Sequence, residues 1–173
     1  MNTKSLNDKI NVLTDLIDQT ADLYNSESFN AQQRGYMETL IGAGIWYLPS
    51  DKKLLYSGKI SERAYNSLIN PLEKTKLVEE HGRVPRKVAG NWLYNKYLNT
   101  IRKNPEKLKA IYLDEIGQYN LVLKDENLSI AKFQRSHVFI DEATAYQNAG
   151  IKLIEVPLEM LEPLLKNNRT IKQ

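Results

Sequence analysis

Lys76-Leu77-Val78-Glu79-Glu80-His81-Gly82-Arg83-Val84-Pro85-Arg86-Lys87 is the stretch around which the chain is organised. It contains one of only two histidines in 173 residues. Two carboxylates precede that histidine, and a turn-forming Gly and a Pro follow it. Four cations surround it: Lys76, Arg83, Arg86 and Lys87. The apolar pair Leu77 and Val78 leads in as a strand end, and the residues after Pro85 lead out as a helix start. An acid-histidine pair at a strand end beside cations is suited to acid-base chemistry on an anion.

Working outward, the residues before this stretch read as helical. Leu6, Ile10, Leu13 and Ile17 form one apolar stripe, which predicts an amphipathic helix over about 5–24. Ser5 with Asp8 has the spacing of a cap at its start. A second helix is expected over about 30–47. Its later half is nearly all apolar, and Gly42 and Gly44 allow another backbone to come close. Residues 52–60 read as a loop or short hairpin turning at Ser57-Gly58. Ser61 caps a third helix that Asn70-Pro71 ends.

Downstream of Pro85, the spacing of Val88, Trp92, Leu93, Tyr97 and Ile101 predicts a helix to about residue 103, with both tryptophans on apolar faces. Asn104-Pro105 starts another, which Gly117 stops. Tyr119–Leu123 has the residue types of a strand. A helix is expected from about 125 to 135, a strand at 137–140, a short helix at 141–148, a strand at 151–156 and a last helix at 157–165. The fold class is therefore α+β and mostly helical. The division expected is an N-terminal helical region, 1–70, and a core with C-terminal α/β elements, 71–173.

Composition narrows the classes. Hydrophobic residues make up 42% of the chain, enough for a packed core. No cysteine is present, which excludes disulfides, thiolate zinc and a cysteine nucleophile and fits a reducing cytoplasm. No apolar run is long enough to span a membrane. No Gly-x-Ser-x-Gly elbow and no phosphate-cradling glycine loop occurs. The net charge of +3 does not imply nucleic acid, but residues 73–109 hold ten of the cations and only four acids. A solvated helix face is the plain alternative for that run.

Cleaving a phosphodiester requires a base for water, a cation for the developing charge, and groups that hold the backbone. His81 can be that base, since neutral imidazole is available near pH 7. Glu80, pointing the other way along the strand, can hold a hard cation such as Mg²⁺ through oxygen. Arg83, Arg86 and Lys87 are placed to hold phosphates.

Glu80-His81 followed by Pro85, then Asn120-Leu121-Val122-Leu123, then Asn127 on a helix, resembles the HNH pattern of ββα-metal nucleases, found in restriction, phage homing and colicin-type enzymes. The resemblance covers about residues 78–134. It implies His81 as general base, Glu80 and Asn127 as ligands of a divalent cation, expected to be Mg²⁺, and Asn120 as the residue that orients the base or its loop. The implied fold is a small ββα core, with helices inserted between its strands, and the implied activity is a phage-type DNA endonuclease. The interval between His81 and Asn120 is longer than in compact members, and the buttressing cysteine pairs are missing. An RNase using the same histidine, and a non-catalytic binding module in which Glu80-His81 is a surface pair, remain as alternatives. A dimer through the N-terminal helix is also left open.

Overall fold

A computed structural model describes residues 3–48, 52–70, 76–80 and 83–169. In chain order the elements are α1 (Thr3–Asn25), α2 (Ala31–Trp46), α3 (Lys52–Leu55), β1 (Tyr56–Ser61), α4 (Glu62–Ile69), β2 (Leu77–Glu80), α5 (Arg86–Asn95), α6 (Leu98–Ile101), α7 (Pro105–Ile111), β3 (Tyr119–Leu123), α8 (Lys124–Ile130), α9 (Glu142–Asn148), β4 (Leu153–Glu155) and α10 (Leu158–Arg169). A π-helical turn, Tyr112–Ile116, continues α7, and a 3-10 turn, Ala131–Phe133, continues α8. The fold is α+β and mostly helical, with one four-stranded mixed sheet.

The backbone segregates into two compact units, each made of two stretches. Met1–Leu54 with Val84–Gly117 form a helical unit; Leu55–Arg83 with Gln118–Gln173 form a sheet unit. The division at residue 70 read from the sequence thus gives way to an interleaved one. The helical unit buries the predicted stripe of α1: Leu6, Ile10 and Ile17 are at most 1% exposed. Asn30 caps α2 through a reciprocal pair of bonds with Gln33, each 2.9 Å. Ser5 lies inside α1 and does not cap it. Trp46 is not in the core. It is 41% exposed, and the Arg86 guanidinium lies 4.2 Å from its ring centre. Trp92 is half-buried beneath the Lys96 ammonium.

The sheet order is β2-β3-β1-β4. β2 runs antiparallel to β3, with Leu77 opposite Leu123 and Glu80 opposite Asn120. β1 runs parallel to β3 and antiparallel to β4. The β1–β3 register shifts between Tyr56 and Ile60, where Gly58 takes φ +84°. The turn expected at Ser57-Gly58 is therefore a bulge within a strand. β3 is central and buried on both faces, which explains its unbroken apolar run on either side of Asn120. Ser61 caps α4, accepting from the Ala64 N–H at 3.0 Å. Glu126 fixes the start of α8, accepting from the Leu123 N–H at 2.9 Å and from the Ser61 hydroxyl at 2.5 Å. Val122, Ile130, Ala145, Tyr146 and Ile151 form the core of this unit, with Val78, Phe133 and Phe139 packed around them. Ser136, His137 and Val138 form an exposed turn, and residues 137–140 pair with no strand of the sheet, so the strand expected there is absent.

Buried tyrosines set an alkaline limit on stability. Tyr24 stacks on Tyr94 with ring centres 4.1 Å apart and donates to Glu38 at 2.8 Å. Burial, then the Glu38 carboxylate, push its hydroxyl up to about 12. Burial alone takes Tyr112 to about 12, and burial raises Tyr56, Tyr94 and Tyr146 as well. In each case the native state keeps a proton that the unfolded chain gives up near pH 10. Stability is therefore complete below pH 10 and falls as pH rises toward 12. For Tyr24 the full shift corresponds to roughly 2–3 kcal/mol. Near-ultraviolet tyrosine titration should show these side chains ionising late, together with loss of the circular dichroism signal. Reversible ionisation of all the tyrosines near pH 10 in a folded chain would contradict the burial.

Candidate functional site

β2 ends at Glu80, so the organising stretch leaves the sheet at the Glu80–Asn120 pair. Both side chains are buried, Glu80 at 3% and Asn120 at 0% exposure. A buried charge is tolerated only where it is paired, and the partners come from four further parts of the sheet unit. Glu80 Oε2 accepts from the Tyr146 hydroxyl at 2.5 Å, and its Oε1 from Gln134 Nε2 at 2.8 Å. Asn120 Nδ2 donates to Tyr146 Oη at 2.9 Å and to Glu142 Oε1 at 2.7 Å, while its Oδ1 accepts from Ser57 Oγ at 2.5 Å. Lys59 Nζ lies 3.1 Å from Glu142 Oε2, and Arg83 Nε lies 3.4 Å from Glu142 Oε1.

The side chains thus grade from interior to surface. Glu80, Asn120 and Tyr146 form the buried end, and Glu142, Lys59 and Arg83 the half-buried end. Burial, with the Glu80 carboxylate next, pushes the Tyr146 hydroxyl well above the ordinary tyrosine range. Tyr146 therefore remains a proton donor to Glu80 at any physiological pH. At the rim Lys59 and Arg83 share the Glu142 carboxylate, and with the buried Glu80 the cluster matches two cations to two carboxylates.

Two of the residues nominated from the sequence, Glu80 and Asn120, meet in this cluster, and Arg83 sits at its rim. His81 lies outside the described residues. Asn127 is half-buried in the second turn of α8. The residue of the helical segment after β3 that reaches Glu80 is Gln134, beyond the 3-10 turn. α8 begins at the Leu77–Leu123 end of the strand pair, three residues from Glu80, or roughly 10 Å at about 3.3 Å per residue. A helix starting there covers that distance in about two turns at 5.4 Å per turn, which favours Gln134 over Asn127 as the neighbour of Glu80. Arg86 and Lys87 are the first two residues of α5 and belong to the helical unit.

The cation implied by the resemblance needs oxygen donors that converge. Among the described residues no three of His, Cys, Asp or Glu are grouped to hold a metal ion. Glu80 also has both oxygens committed to Tyr146 and Gln134. Of the expected ligand pair, Glu80 meets Tyr146 and Gln134, and Asn127 stands half-buried on α8.

Ser57, Lys59, Gln134, Glu142 and Tyr146 were not singled out in the sequence. One signal for two of them is local: Glu142 and Tyr146 are four apart on a short helix capped by Asp141, so both project from one face. Ser57 and Lys59 carry no such mark, since their place depends on the parallel pairing of β1 with β3. Compared with protein-family models, with curated proteins and with solved structures, the chain matches none, and the functional reading rests on this cluster and the strand pair that carries it.

Proposed function

We propose that the chain cleaves phosphodiester bonds in nucleic acid, with DNA as substrate, at the end of β2 where His81 follows Glu80. The observation that supports this reading is the succession of β2, antiparallel β3 and α8, with Glu80 opposite Asn120. In it His81 is the general base. Arg83, whose Nε is 3.4 Å from Glu142, and Lys59 supply positive charge for a phosphate at the rim. Glu80, buried and held by Tyr146 and Gln134, anchors the strand end that carries the base. The competing reading, a non-catalytic binding module, is favoured by the internal pairing of Glu80 and Asn120, which would also serve a purely structural polar core.

The test is incubation of the purified protein with supercoiled plasmid and with RNA, in Mg²⁺ and in EDTA. Nicking of the plasmid in Mg²⁺, absent in EDTA and absent in His81→Ala, is expected. The His81→Ala variant should keep the wild-type circular dichroism spectrum and melting temperature. Cleavage of RNA alone would redirect the reading to a ribonuclease, and cutting in EDTA would remove the divalent ion from it. No cleavage of either polymer would leave the binding module.

A further inference from the structure

α1 carries a second apolar line besides the one it buries. Val12, Leu16 and Leu23 recur at intervals of four and seven, about 120° around the helix from the buried stripe. They are 68%, 45% and 50% exposed. α2 presents a matching line, with Tyr36 at 67%, Leu40 at 52% and, just past its end, Tyr47 at 77%. The two helices form an antiparallel hairpin whose register is fixed at both ends. Lys9 Nζ donates to the Tyr47 carbonyl at 2.9 Å, and Arg34 Nε donates to the Tyr24 carbonyl at 2.8 Å. That register sets Leu16 beside Leu40 and Leu23 beside Tyr36. The two lines are therefore neighbouring rows of one outer face of the helical unit.

We propose that this face joins two copies of the chain into a symmetric dimer. The six side chains expose on the order of 700 Å² of largely apolar surface. A typical monomer's largest apolar patch is about 300–600 Å², while one side of a standard interface is about 800 Å². Charge selects a second copy as the occupant. Beyond the α1 row, on the side away from α2, run Asp8 and Asp15, spaced by seven. Beyond the α2 row, on the side away from α1, α5 starts with Arg86 and Lys87, which reach Trp46 and Gly35 of α2. The face thus has an acidic edge and a basic edge, and the strip between them carries one charged side chain, Lys9, whose ammonium is held on the Tyr47 carbonyl. A two-fold axis parallel to the helices lays α1 of one copy antiparallel on α2 of the other. Each acidic edge then meets the partner's basic edge, so the same surface is used twice and the contact closes.

Sedimentation and light scattering on the full chain test this directly. The wild type should be a dimer at tens of micromolar, and Leu16→Asp combined with Leu40→Asp should weaken the dimer at least 100-fold. Both positions are exposed, so the double variant should keep its circular dichroism spectrum and melting profile at a concentration where both proteins are monomers. Asp15→Lys should weaken the dimer, and adding Arg86→Glu should restore it, because the register sets the Arg86 guanidinium at Trp46, the cation nearest Asp15 across the interface. A wild type that stays monomeric at about 100 µM, or a double variant that still dimerises, overturns the proposal. Failure of Arg86→Glu to rescue Asp15→Lys overturns the arrangement of α1 on the partner's α2.

Discussion

Gly42→Ala should lower the stability of the helical unit by about 3 kcal/mol or more. A methyl group at Gly42 would lie 1.9 Å from the Arg86 carbonyl oxygen, and one at Gly90 would lie 1.9 Å from the Glu38 carbonyl oxygen. α2 and α5 therefore touch backbone to backbone at two reciprocal points. No side chain can swing aside there, so the helices must separate by more than 1 Å, roughly the gap to an ordinary contact of about 3.5 Å. Separation loosens Ile41, Ile45, Ala89 and Leu93, all at most 2% exposed. Gly44→Ala supplies the control. Its methyl would meet only the Leu13 Cδ1 atom, at 3.1 Å, and it gains up to about 1 kcal/mol of helix propensity. Urea unfolding followed by circular dichroism should rank Gly42→Ala and Gly90→Ala far below Gly44→Ala. The Gly42/Gly90 double variant should cost less than the sum, because one separation relieves both contacts. Equal midpoints for the three single variants would sink the close packing of α2 on α5.

Asn120→Ala should destabilise the sheet unit by about 2–4 kcal/mol, more than its lost contact area explains. The truncation removes two donors and an acceptor at once, leaving Ser57, Glu142 and Tyr146 each short of a partner. Tyr146→Phe should cost less, about 1–3 kcal/mol, because Glu80 keeps its bond from Gln134. The two variants share the bond between Asn120 Nδ2 and Tyr146 Oη, so their effects should not add. The measurement is a double-mutant cycle by chemical denaturation near pH 7. Strict additivity, or an Asn120→Ala protein as stable as wild type, would show that the network does not hold the sheet unit together.

The helical parts of the fold were legible because their evidence is local. The stripe of α1, the cap of α4 at Ser61, the start of α7 at Asn104-Pro105 and the short helix at 141–148 all follow from signals within one turn or two. Tyr119–Leu123 was recognisable as a strand by residue type, and its pairing with the Glu80 segment followed from the expected ββα pattern. What stayed hidden depends on contacts far apart in sequence. Ser57-Gly58 reads as a hairpin turn until β1 is seen to lie parallel to β3, more than sixty residues on. Glu80 reads as an accessible ligand until Tyr146 and Gln134 are seen to enclose it. Trp46 sits on an apolar helix but is covered by Arg86 rather than by core, an arrangement set by how α5 returns to α2.

The interleaving of the two units bears on how the chain reaches its structure. The helical unit lacks α5, α6 and α7 until the chain has passed Gly117, although α1 and α2 are made first. β2, meanwhile, has no partner until β3 follows, some forty residues later. During synthesis β2 therefore waits as an unpaired edge while the inserted helices dock on α1 and α2. Any docking that holds residues 84 and 117 near each other shortens the loop that β2 and β3 must close and lowers its entropic cost. A nascent chain arrested once Gly117 has cleared the ribosome should already protect the amides of α2 and α5 from exchange, while those of β1 and β2 remain open.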